Sequence, residues 1–138
     1  MTTDLSDKHF VYIEDDELSR QVMRMIFENM LGVKRLTMFE DSHDFLPRIK
    51  QLPQRPAVLL LDIQVHPLNG FDMLYIIRRD PEIAQVKVIA LTASVMFDDI
   101  QKMRSAGFDG MIGKPVSVTT FPDLIRQVVA GESVWHVG

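Results

Sequence analysis

Ala57-Val-Leu-Leu-Leu61 is the stretch that decides the fold, because it is apolar at every position and ends on a carboxylate, Asp62. A half-exposed antiparallel strand alternates apolar and polar residues. An unbroken run of five is the pattern of a parallel strand covered by helices on both faces. Similar short runs lie on either side of it: Phe10-Val-Tyr-Ile13, Leu36-Thr-Met-Phe39, Val86-Lys-Val-Ile-Ala-Leu91 and the weaker Phe108 to Ile112. These read as four further strands.

Helical spacing fills the intervals. Leu18, Val22, Met25, Ile26 and Met30 predict one apolar face on a helix from about Glu17 to Leu31, with Gly32 at the C-cap position. Phe45, Ile49 and Leu52 mark a second helix, whose start Pro47 confines to the neighbourhood of Asp44. Phe71, Leu74 and Ile77 mark a third that stops before Pro81. Ile100, Met103 and Ala106 mark a fourth, closing at Gly107. Leu124, Ile125 and Val128 mark a fifth, with Pro122 in its first turn and Gly131 at its end. Five strands alternating with five helices predict an open, doubly wound, parallel five-stranded α/β sheet. The expected layout is an N-terminal extension over 1–8, one domain over 9–131 and a tail over 132–138 in which Trp135 packs back on the body.

Composition narrows the function classes. The chain has 138 residues and no cysteine, which excludes a disulfide scaffold and a thiolate zinc site. Fifteen Lys and Arg against nineteen Asp and Glu leave a net charge of −4, and the basic residues do not cluster, so no nucleic-acid partner is expected. The first residues have neither a basic n-region nor an apolar h-region, and no apolar run approaches the roughly 20 residues that span a bilayer. A cytoplasmic protein with no membrane partner is the expectation.

Polar residues gather where the strands end: Glu14, Asp15 and Asp16 after the first, Asp62 after the third, Thr92 after the fourth and Lys114 after the fifth. Ligand sites of open α/β sheets lie outside that edge. Carboxylates about 4 Å apart repel by roughly 4 kcal/mol per pair at an effective dielectric of 20, which a divalent cation relieves. Oxygen ligands with no Cys and no nearby His favour Mg²⁺, which pairs naturally with a phosphoryl ligand held by Lys and Thr.

Val11-Tyr-Ile-Glu-Asp-Asp-Glu17 with Arg20, Leu60-Leu-Asp-Ile-Gln-Val-His-Pro-Leu-Asn-Gly70, Ala90-Leu-Thr-Ala93 and Gly113-Lys-Pro115 follow one another in order, with 30 residues from Asp62 to Thr92 and 22 from Thr92 to Lys114. In this the chain resembles the receiver domain of two-component response regulators, over nearly its whole length. The resemblance implies the flavodoxin-like strand order 2-1-3-4-5 and a phosphorelay role. Asp62 would be the phosphoacceptor, fed by a phosphohistidine on a sensor histidine kinase or a histidine phosphotransfer protein. Asp15, Asp62 and the backbone carbonyl of Gln64 would bind Mg²⁺, with Glu14 acting through a water. Thr92 and Lys114 would hold phosphoryl oxygens, and Gln64 and Ser94 would tune a slow autodephosphorylation. The resemblance also allows a cis Lys114–Pro115 bond. It implies a stand-alone module, not a multiple-turnover enzyme, that signals to a downstream protein through its fourth helix, fifth strand and fifth helix.

Two positions depart from the family. His66 stands four residues after Asp62, where a proline is usual, with Pro67 following, and Met111 replaces the aromatic residue usually found three positions before the lysine. These departures motivate an alternative, a degenerate receiver that docks constitutively without switching. A phosphatase of the haloacid dehalogenase type would need a second Asp two residues beyond Asp62, and Gln64 stands there.

Overall fold

The computed structural model describes residues 4–94 and 96–136; residues 1–3 of the expected extension and 137–138 of the expected tail lie outside them. The strands are β1 (His9–Ile13), β2 (Arg35–Phe39), β3 (Val58–Asp62), β4 (Lys87–Thr92), β5 (Gly110–Gly113) and β6 (Trp135–His136). The helices are α1 (Glu17–Met25), continued by a π-helical turn over Ile26–Met30, α2 (Phe45–Lys50), α3 (Gly70–Arg79), α4 (Phe97–Ala106) and α5 (Phe121–Val129). All strand pairs are parallel, in the order β2-β1-β3-β4-β5-β6.

The expected five-stranded sheet is therefore corrected to six. The tail supplies the sixth strand: Met111 N–H donates to Val134 O at 2.8 Å, and Met111 and Ile112 then pair with Trp135 and His136. Two residues are too few for a period-two pattern, so periodicity could not expose β6. The backbone approach is close enough that a Cβ on Gly110 would lie 2.5 Å from Val134 O. Arg104 of α4 stacks over the Trp135 ring, 4.2 Å from its centroid.

Strand residues alternate between two cores. Phe10, Tyr12, Leu60, Ile89, Leu91 and Ile112 face α1 and α5, meeting Met23, Ile26, Phe27, Phe121, Ile125 and Val128. Val11, Ile13, Leu59, Leu61, Val88, Ala90 and Met111 face α2, α3 and α4. β3 is buried at all five positions, as its unbroken apolar run requires.

The predicted face of α1 is wrong in part. Leu18, Met25 and Met30 are 67%, 37% and 41% exposed, whereas Met23, Ile26 and Phe27 are buried. The π-turn explains the end of this error: Leu31 N–H reaches back five residues to Ile26 O, so the apolar stripe rotates from Met30 to Leu31. Gly32 follows with φ +67, as a helix-ending glycine requires. In α4, Ala106 is exposed while Met103 is buried, and Gly107 closes the helix with φ +105. Phe108, taken as the start of the fifth strand, precedes it and packs edge-on against Phe71 at 5.6 Å.

Candidate phosphoryl-binding and metal site

The register of the sheet builds the site. Ile13 pairs with Leu61, so the next residues, Glu14 and Asp62, leave neighbouring strands side by side. Thr92 pairs with Gly113, which carries Lys114 to the same edge, and Lys114 N–H donates to Thr92 O at 2.8 Å. The Lys114 side chain reaches both buried carboxylates: Nζ lies 2.7 Å from Glu14 Oε1 and 3.7 Å from Asp62 Oδ2.

Carboxylate oxygens of Glu14, Asp15 and Asp62 lie within 4.8 Å of one another. Glu14 and Asp62 are buried and Asp15 is exposed, so the cluster opens to solvent on one side. This all-oxygen set suits a hard cation such as Mg²⁺, which keeps part of its water shell. Gln64 sits in the turn after β3, where its N–H donates to Asp62 Oδ1 at 3.2 Å. Thr92 is buried, and its hydroxyl accepts from Ser94 N–H at 3.0 Å.

Charge is unevenly shared among these groups. Burial, with the hydrogen bond and charge of Glu14, pushes the Asp62 carboxyl up to about 7. Burial opposes charge on Glu14 too, but hydrogen bonds with Asp62, Lys114 and Tyr12 hold it below the usual carboxylate range. Burial likewise opposes charge on Lys114, yet the bond to Glu14 and the charge of Asp62 keep its ammonium above its ordinary value. Lys114 and Glu14 thus form an ion pair beside an Asp62 whose charge is opposed by burial and by Glu14.

The loops that carry these residues are pinned by polar contacts. Asp16 caps α1 through Ser19 N–H at 2.9 Å, and so belongs to the helix start. Arg20 donates to the backbone O of Glu14 at 2.8 Å, fixing the turn between β1 and α1. The loop after β3 is held by polar contacts of its own. Ser42, fully buried, donates to Leu68 O and accepts from Leu68 N–H, both at 2.7 Å. His66–Pro67 is cis, as is Lys114–Pro115. Asn69 then starts α3 with a reciprocal capping box to Asp72.

Sequence reasoning missed Tyr12 and Ser42. Tyr12 reads as one more apolar strand residue, but its hydroxyl donates to Glu14 Oε1 at 2.8 Å. Its position two residues before Glu14, on the same strand face, was the available signal. Ser42 carries no local signal, since its partner is 26 residues away.

Comparison with known proteins agrees with this geometry. The family described as response regulator receiver domain matches residues 10–126. The polar-differentiation response regulator DivK of Brucella anthropi is 29% identical over 120 residues, and that of Brucella ovis 27% over 128, each alignment covering 87% of this chain and 94% of the relative. Among solved structures, the receiver domain of a DNA-binding response regulator from Colwellia psychrerythraea superposes with a TM-score of 0.76 at 25% identity, covering 90% of this chain and 99% of that one. The receiver domain of the Francisella response regulator 1452 gives 0.78 at 21% identity, covering 90% and 98%.

Proposed function

The chain belongs to the response regulator receiver domain family of two-component signal transduction, and from that premise we infer that Asp62 is its phosphoacceptor. The observation that carries this reading is the convergence of Asp62, Glu14, Asp15 and Lys114 at one sheet edge, with Lys114 Nζ within 4 Å of both buried carboxylates.

The donor is a phosphohistidine on a sensor histidine kinase or histidine phosphotransfer protein. An Asp62 oxygen forms the new O–P bond while the N–P bond of the phosphohistidine breaks, and the released imidazole takes up a proton. The chain contributes a nucleophile, positioning and charge compensation, the usual division of labour in phosphoryl transfer. Asp15, Asp62 and the Gln64 carbonyl, with Glu14 behind them, would hold Mg²⁺, which neutralises charge on the phosphoryl oxygens when bound. Lys114 stabilises the same charge from the other side. The Thr92 hydroxyl, engaged with the Ser94 backbone in the resting chain, turns to a phosphoryl oxygen. Gln64 and Ser94 flank the path of an attacking water and set the rate of autodephosphorylation. The phosphorylated protein then acts by binding a downstream protein.

The docking-only alternative rests on Met111 and the shifted proline. The intact set of charged groups around Asp62 favours phosphoryl capture over it. Incubation with Mg²⁺ and a small-molecule phosphodonor should add one phosphoryl mass to the parent protein and none to Asp62→Asn; equal labelling of the two would refute Asp62 as acceptor.

A further inference from the structure

Tyr12 carries a hydroxyl into a strand position that otherwise asks only for an apolar side chain. Its neighbours in the core between the sheet and α1 and α5 include Phe10, Phe27, Leu60 and Phe121, and Tyr12 itself is 1% exposed. Burying a hydroxyl there is unfavourable unless it finds a partner, and phenylalanine would fill the same space without that demand.

The partner is Glu14. Oε1 of this fully buried carboxylate receives two donors, Tyr12 Oη–H at 2.8 Å and Lys114 Nζ at 2.7 Å, while Oε2 accepts from Asp16 N–H at 3.3 Å. Lys114 thus shares its acceptor with a neutral donor fixed to the sheet. If Lys114 turns to a phosphoryl group on Asp62, it must leave a buried carboxylate behind. A buried acceptor stripped of its only donor carries a large penalty, whereas one that keeps a second donor carries much less.

Resting on the phosphoacceptor reading, we propose that Tyr12 is a positioning residue that keeps Glu14 Oε1 hydrogen-bonded while Lys114 transfers from Glu14 to the phosphoryl group. Tyr12 acts through Glu14 and touches neither phosphoryl nor cation. Its contribution belongs to the step in which Lys114 moves, so cation binding and phosphoryl capture should respond differently to its loss.

The test uses Mg²⁺ alone, followed by calorimetry, and beryllofluoride at saturating Mg²⁺, followed by the ¹⁹F resonances of the bound anion. Tyr12→Phe should weaken beryllofluoride capture roughly tenfold, the weight of about one charge-assisted hydrogen bond, while changing Mg²⁺ affinity less than about threefold. In a Glu14→Gln background, adding Tyr12→Phe should change capture less than about twofold, because the route through the carboxylate is gone. Unchanged capture in Tyr12→Phe, parallel losses of Mg²⁺ and beryllofluoride, or an undiminished effect in the Glu14→Gln background would each overturn the proposal.

A measurement that keeps the hydroxyl covers the case in which Tyr12→Phe does not fold. Tyr75 is the other tyrosine and is 60% exposed, so Tyr75→Phe protein grown with 3-fluorotyrosine reports Tyr12 alone. Its ¹⁹F signal should move on beryllofluoride addition and move less with Mg²⁺ alone; a signal indifferent to beryllofluoride overturns the proposal. Capture by the parent with no role for Tyr12 would leave the phosphoacceptor reading standing. A parent that never captures beryllofluoride would overturn both.

Discussion

Asp62 is held in an environment that resists its charge. Its carboxyl is pushed up to about 7, first by burial and then by Glu14. Between the ordinary Asp value of about 4 and 7, the folded chain therefore binds more protons at this residue than the unfolded chain does, and stability falls as pH rises through that window. Glu14, held low, acts in the opposite sense, but its contribution is lost only as pH falls below the ordinary carboxylate range. Without divalent cations, Asp62→Asn should be more stable than the parent by about 1–3 kcal/mol at pH 8, with the difference clearly smaller at pH 5 and closing near pH 4. Urea unfolding at the first two of these pH values measures this, and an equal difference at both would contradict it. The raised proton affinity of the proposed phosphoacceptor and the cost it adds to the fold have one main cause, a carboxylate kept from water.

At the scale of elements, the sheet was legible and its margins were not. The apolar run before Asp62 announces a strand buried on both faces, and that strand is β3. Glu14, Asp62, Thr92 and Lys114 were legible because each stands at the C-terminal end of a strand, Asp62 and Thr92 as its last residue and Glu14 and Lys114 just after it. The end of the α1 stripe was misplaced because 3.6-residue spacing assumes an uninterrupted α-helix, whereas Ile26–Met30 form a π-turn. β6 escaped because two residues carry no period. Its role can be tested at Gly110, where an added methyl would meet Val134 O at 2.5 Å and Ile89 Cδ1 at 3.0 Å. Gly110→Ala should release the tail. Trp135, the sole tryptophan, should then lose its Arg104 stacking and shift its fluorescence to longer wavelength, with a loss of about 1–3 kcal/mol in stability. An unshifted spectrum would mean that the tail does not depend on that close approach.

The whole molecule couples a site at one edge to a fold built from two cores. A ligand that binds only the folded chain stabilises it by mass action, about 1.4 kcal/mol at tenfold excess over Kd, which is several degrees in Tm for a domain of this size. Mg²⁺ should raise Tm by about 5 °C under those conditions, and by more at pH 8 than at pH 6, because protons and the cation compete for Asp62. Differential scanning calorimetry at both pH values would show it, and a pH-independent increment would place the cation elsewhere. No described helix is long and apolar enough to cross a membrane. The last strand has a consequence for behaviour at high concentration. A bare β5 would present unpaired N–H and C=O groups on which another chain could nucleate a continuous intermolecular sheet. Among the described residues the tail covers β5 by pairing Trp135 and His136 with Met111 and Ile112, so a second chain approaching that edge meets β6 instead of an open β5.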